Sequence, residues 1–204
     1  MNTVNTVLSI LALIAAFVIP LGIDRFKQPQ IDVIRQPHGV GDEHGFRILH
    51  VQVYNRPHIR WPVRWVQVAP LYAARVHLSY FRSGQRLFND VVGIWSDRPR
   101  PLLGGNYDPE RASEAEVVDL FARDQPWSVP VAIKFAKQDV AYGFRAQSYR
   151  YGNPGGDPDL QIPANAEVEL VVRVVGGSPK QPRYRFLIRN FGSQLQQFEI
   201  LERS

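Results

Sequence analysis

Two hydrophobic patterns divide this chain. From Val7 to Ile23 the residues VLSILALIAAFVIPLGI are apolar almost without interruption, broken by Ser9, Pro20 and Gly22, and no charged side chain precedes Asp24. As a helix, residues 3–23 are roughly 31 Å long, which matches a bilayer core of about 30 Å. Pro20 falls in the last turn, and Gly22 beyond it suits helix termination. The pattern predicts one transmembrane helix within residues 1–23, in preference to a buried helix of a soluble domain. A cleaved signal peptide fits less well, because MNTVNT carries no Lys or Arg and IPLGIDRF offers no A-x-A cleavage site.

After a polar linker, DRFKQPQ at residues 24–30, the period changes to two. Ile31 to Ile34 starts a first strand, and HGVGDEHG (His38 to Gly45) is a turn. In FRILHVQVYN, Leu49, Val51 and Val53 share one face, with His50, Gln52 and Tyr54 on the other. Ala74, Val76, Leu78 and Tyr80 alternate inward against Arg75, His77 and Ser79. Val91 to Trp95 reads as a short strand. The same alternation assigns Val129, Val131, Ile133 and Phe135 to one face of a further strand, and Val168, Leu170, Val172 and Val174 to one face of another. Tyr142 to Tyr151, Arg183 to Asn190 and Leu195 to Leu201 complete eight to ten strands, separated by turns such as GNPGGDPD and GGSPKQP. Arg56 to Leu71, punctuated by Pro57, Pro62 and Pro70, is loop or edge. Residues 102–126 are the least regular part, and ASEAEVVDLFA is open between a short helix and a strand. Residues 31–204 are therefore expected to form an all-β, antiparallel sandwich with one wet face per sheet.

Composition supports a packed core: 45% of residues are hydrophobic and 11% aromatic. The net charge is +5, and its distribution matters more than its size. No acid lies between Glu43 and Asp90, a stretch holding Arg47, Arg56, Arg60, Arg64, Arg75, Arg82 and Arg86; the C-terminal half is mixed in sign. Arg25, Lys27 and Arg35 follow the apolar run, so the positive-inside rule orients the β-domain to the cytoplasm, with an extracytoplasmic position as the alternative. The lack of cysteine fits either side.

LHVQVYNRP (49–57), AARVHLSYF (73–81), GIWSDRPRP (93–101) and LQIPANAEVELVVRVV (160–175) together resemble membrane-tethered immunoglobulin-like sandwich domains of prokaryotic proteins. The resemblance implies an immunoglobulin-like fold and a binding or scaffolding role. It transfers no catalytic residues, and the chain departs from antibody-like domains in lacking paired cysteines.

Catalytic and metal signatures are weak. His38, His44, His50, His58 and His77 match no compact zinc spacing; His50 and His77 bring two ligands together if they face outward on neighbouring strands, one short of a site. Ser79, Ser83 and Ser96 lie outside any GxSxG elbow. Asp157/Asp159 and Glu114/Glu116 read as solvated pairs without the environment that splits carboxylate pKa values. No catalytic, metal or cofactor residues are assigned. One patch carries a physical argument: Arg56, Arg60 and Arg64, interleaved with Trp61 and Trp65, suit anionic lipid headgroups or an acidic protein surface. Its alternative is buried tryptophans beside solvated arginines. Nucleic acid is not expected as a partner. Ala12, Ala16 and Pro20 form a small-residue stripe for helix packing.

The expected function is a single-pass, membrane-anchored, non-enzymatic interaction module with a protein partner. Two alternatives stand beside it. One is an extracytoplasmic ligand or carbohydrate binder using Trp61, Trp65, Trp95 or Trp127 as stacking platforms. The other is an accessory subunit of a larger membrane complex.

Overall fold

A computed structural model describes residues 28–36, 44–56, 68–122, 125–177 and 182–203, with Thr6, Val7, Ser9, Ala12, Leu13 and Ala16 near the N-terminus. Most of the apolar run, and the stretch carrying Arg60, Trp61, Arg64 and Trp65, lie outside the described residues. The described positions of the run are helical and exposed, with Val7 at 55% and Leu13 at 62%. Among the described residues, no helix is long and apolar enough to cross a membrane.

Period-two alternation does its expected work in the long strands. One sheet runs in the order β1 (Ile31–Arg35), β2 (Phe46–Asn55), β9 (Trp127–Phe135), β10 (Ala141–Gly143), β11 (Gln161–Ile162). The other runs β14 (Phe198–Glu202), β13 (Arg183–Asn190), β12 (Ala166–Val175), β3 (Leu71–Arg82), β4 (Gln85–Arg86), and β5 (Val91–Val92) and β8 (Val118–Leu120) also pair with β3. These ladders are antiparallel. The inward faces of the two sheets form one core. Cross-strand register stacks Val76, Leu78 and Tyr80 of β3 on Val174, Val172 and Leu170 of β12, and Leu170 and Val168 on Phe186 and Ile188 of β13. Val51, Val53, Val129 and Val131 answer from the other sheet. The Tyr80 hydroxyl spans the gap, donating to the Val131 carbonyl at 2.5 Å.

Two expectations about strand faces are corrected. In β9, Leu49 pairs with Ala132 but His50 with Pro130, so Val131 is the extra residue of a β-bulge. Val131 and Ala132 both face the core. Alternation then resumes in opposite phase, sending Ile133 and Phe135 outward and Lys134 into the sandwich. The outer face of the first sheet, expected to be wet, is also covered across β2, β9 and β10, and stays wet at the β1 edge, where Asp32 and Arg56 are exposed. The covering is a second apolar cluster, built from Ile94, Ala112, Ala115, Ile133, Phe144 and Ala146, with Phe46, Ile48 and Tyr149 packed against it.

The covering layer comes from two excursions. The first carries Ile94 and Trp95, the hairpin β6 (Leu102–Leu103) to β7 (Asn106–Tyr107), and helix α1 (Pro109–Ala115). Asp108 caps α1 by accepting from the Glu110 amide, and Pro109 suits the first turn. The open segment 112–122 thus contains both a helix end and a strand, α1 and β8. The second excursion replaces the expected strand from Tyr142 to Tyr151: β10 ends at Gly143, and Ala146–Tyr151 is a 3-10 helix. GNPGGDPD is more than a plain turn. Asp157, expected to be solvated, is fully buried and accepts from Arg145 Nε at 2.7 Å and from the Asp159 amide at 3.0 Å. Gly155 is packed against backbone, so that a Cβ there would fall 2.4 Å from the Tyr151 carbonyl carbon.

A buried asparagine closes each end of the sandwich. Asn55, ending β2, accepts from the Gln30 amide and donates to the carbonyls of Ala69 and Leu120. Asn190, ending β13, donates to the carbonyls of Asp139, Ile162 and Pro163, and its Oδ1 accepts from Lys134 Nζ at 2.6 Å. Lys134 also donates to the Gly192 carbonyl. Burial pulls the Lys134 ammonium below its ordinary range, with Asp139 opposing.

Candidate interaction surface

The outward positions of β3, β12 and β13 form a different kind of surface from the covered sheet. Register places His77, Arg173 and Arg183 in one row across three strands. Ser79, Val171 and Arg185 make the next row, and Phe81, Glu169 and Leu187 the third. With Gly84, Arg86 and Asp90 at the edge, all of these residues but His77 and Leu187 line a shallow depression of about 300 Å³.

Charge in the depression is unbalanced. Arg86, Arg173, Arg183 and Arg185 face Asp90 and Glu169. Arg86 pairs with Asp90 at 3.4 Å, and Glu169 is held by Arg185 at 3.2 Å and Arg203 at 2.7 Å. Asp90 also accepts from the Ser79 hydroxyl at 2.6 Å. Both acids are therefore committed, and among the described residues Arg173 and Arg183 have no ion pair. Directly opposed strand residues have Cβ atoms about 5 Å apart, and like charges there are destabilising. His77, on the other side of Arg173, is held below the ordinary histidine range, first by burial, then by Arg173 and Arg75, with Asp90 opposing. It is neutral at pH 7 and adds no charge of its own to the row.

Such an arrangement can grip a carboxylate-bearing chain. Two guanidinium groups side by side offer planar donors, and an arriving anion relieves their repulsion. Val171 and Phe81 supply an apolar floor between the charges.

Of the residues picked out from the sequence, Arg56 is the described member of the Arg/Trp patch. It pairs with Asp32 at 3.2 Å, lies over the Tyr54 ring at 4.9 Å, and does not line the depression. Arg60, Trp61, Arg64 and Trp65 lie outside the described residues, as does Pro20 of the helix stripe; Ala12 and Ala16 are helical and exposed. Trp95 is no stacking platform: it is 1% exposed, and its indole donates to the Glu116 carbonyl at 3.2 Å. Trp127 packs edge-on against it at 6.1 Å. His50 and His77 are on different sheets, and His50, although on the outer face of β2, is buried under the segment that carries Ile94 and Trp95, so the two-ligand pairing does not form.

The arginine row was missed because the positive charge was located in the first half of the chain. Half of it was nonetheless readable. The antiparallel register of β12 and β13, consecutive alternating strands, opposes Arg173 and Arg183 on outward positions. The packing of β3 beside β12, which adds His77 and Ser79, is long-range and leaves no local mark. Comparison with protein-family models, curated proteins and solved structures returns no match.

Proposed function

We propose that this chain is a non-enzymatic, membrane-anchored interaction module whose β-sandwich presents the outer face of β3, β12 and β13 to an acidic segment of a protein partner. The supporting observation is the cross-strand pair Arg173 and Arg183, two cations opposite one another that have no ion pair among the described residues, on a sheet face that no described element covers. Residues 1–23 serve as the anchor in this reading, residues 24–30 as the linker and residues 31–204 as the domain, with an immunoglobulin-like strand arrangement. The exposure of Val7 and Leu13 supports an apolar helix surface directed to lipid. The charges at Arg25, Lys27 and Arg35 favour a cytoplasmic domain. Tethering raises the local concentration of the sandwich for any partner at the same membrane.

A carbohydrate-binding alternative loses support, since Trp95 is enclosed and Trp127 packs on it. The accessory-subunit reading keeps Ala12 and Ala16 as its basis.

The test uses the full chain in nanodiscs of neutral lipid, titrated with a glutamate-rich peptide. Binding that weakens with salt, and falls at least tenfold in the Arg173→Gln/Arg183→Gln variant, is expected, as each charge-assisted contact contributes about 1.5–3 kcal/mol. Equal affinity in the variant would remove the basis of the proposal. If the same arginines instead govern adhesion to anionic vesicles while the peptide does not bind, the partner is the lipid surface.

A further inference from the structure

His50 opens a second line, on the opposite sheet. It lies on the outer face of β2, roofed by the excursion that carries Ile94 and Trp95. It is 8% exposed, and its Nδ1 is buried without a hydrogen-bond partner among the described residues. A buried imidazole nitrogen without a partner is uncommon in a folded protein and calls for an explanation. The ring borders a cavity of about 170 Å³. Ile48, Ile94, Pro130 and Phe144 make the wall apolar, while Arg98 and Arg100 also line it.

The two arginines have no carboxylate partner among the described residues. Arg98 lies over the Trp127 ring at 6.0 Å, and Arg100 uses one Nη1 donor on Asn153 at 3.0 Å. A guanidinium carries five N–H donors, so both keep donors to spare. The cavity therefore combines an apolar slot with two cations and a histidine. Burial lowers the His50 pKa to about 4, against smaller opposing contributions from the Ile48 backbone and Asp97, so the ring is neutral at pH 7. A neutral imidazole has one donor and one acceptor. Carrying the proton on Nε2 leaves Nδ1 as a bare lone pair, the less costly group to leave unpaired, and offers an N–H to a ligand oxygen.

We propose that this cavity is a binding site for a small carboxylic acid with a compact apolar body. The body fills the slot over Ile48, Ile94 and Phe144, and the carboxylate meets Arg98 and Arg100. The volume suits one ring or a short branched chain, since a cavity of about 150 Å³ accepts benzene. This site is independent of the arginine row on the other sheet, so either stands without the other.

The experiment titrates the full chain in neutral-lipid nanodiscs with benzoate and isovalerate, read by NMR shifts at the Trp95 indole N–H and the Ile94 methyl groups. Benzyl alcohol serves as the uncharged comparison. Saturable shifts with the acids are expected, with at least tenfold weaker binding of benzyl alcohol. The Arg98→Gln/Arg100→Gln variant keeps the apolar wall and should weaken acid binding at least tenfold while preserving the dispersed spectrum of a folded protein. The absence of shifts at millimolar acid would overturn the proposal, leaving a water-filled cavity. So would shifts of equal affinity in the variant or with the alcohol. If the variant loses its dispersed spectrum, the benzyl alcohol comparison on the unaltered chain decides the question.

Discussion

Replacing Asn190 by alanine should be among the most damaging single changes in the sandwich. The side chain is fully buried and joins the two sheets at one end. Its Nδ2 serves three carbonyls, those of Asp139 at 3.0 Å, Ile162 at 3.3 Å and Pro163 at 2.8 Å. Its Oδ1 receives the Lys134 ammonium at 2.6 Å. Two neutral hydrogen bonds at about 1 kcal/mol each, and one to a charged group at about 2 kcal/mol, give a loss of about 4 kcal/mol. That agrees with the roughly 3–5 kcal/mol cost of removing one partner from a buried charge. For a domain of this size about 4 kcal/mol lowers Tm by roughly 8–16 °C. Thermal and urea unfolding of Asn190→Ala measure the loss directly. The same substitution in a Lys134→Met background should cost about 2 kcal/mol less, because no ammonium is left stranded. A loss below about 1 kcal/mol, or an equal loss in both backgrounds, would refute the claim that Asn190 and Lys134 act as a unit.

Other outcomes follow from the same geometry. The His50 pKa falls from 6.5 to about 4 on folding, so the unfolded chain takes up the proton first as pH drops. Stability from this group is complete above pH 6.5 and declines toward pH 4, by on the order of 3 kcal/mol; urea unfolding of wild type and His50→Gln across that window should diverge, and parallel profiles would contradict the assignment. Arg183→Gln should stabilise the fold by a few tenths of a kcal/mol at low salt and by less at high salt, because it removes a cross-strand repulsion. Arg173→Gln should raise the His77 pKa toward its ordinary value, as read by NMR titration, since Arg173 helps to hold it down. Tyr80→Phe leaves the Val131 carbonyl without its inter-sheet donor, and a loss of about 1–2 kcal/mol in urea unfolding is expected.

Legibility in the sequence followed the range of the interaction. β3 from Ala74 onward, β12 and β13 were readable because each alternates against one core, and Ala74, Val76, Leu78 and Tyr80 are buried as the pattern required; β2 was readable from Leu49, Val51 and Val53 although its other face is partly covered as well. VPVAIKFA misled because a bulge at Val131 reverses the phase, which puts Lys134 inside and Phe135 outside. A local pattern cannot report a bulge whose cause lies in pairing with β2. The roof over the first sheet was hidden for a related reason. Its residues, such as Ile94, Ala112 and Phe144, sit in short irregular segments with no repeat, and gain their role from the sheet they cover. Asp157 looked solvated in GNPGGDPD, and its burial depends on Arg145, twelve residues away. The arginine row needed both the β12 to β13 register, which was readable, and the β3 to β12 pairing, which was not. The Arg56 to Gln67 stretch drew attention through local composition, and its described member is spent on Asp32 and Tyr54.

The central claim is that the outer face of β3, β12 and β13 is the docking surface for an acidic segment. Amide shift mapping on the full chain in micelles, with a glutamate-rich peptide added, tests it most directly. The account predicts that shifts concentrate at His77, Ser79, Val171, Arg173, Arg183 and Arg185 and fade together as salt is raised. Shifts centred at Arg56, spread evenly over the basic residues, or absent at millimolar peptide would contradict it.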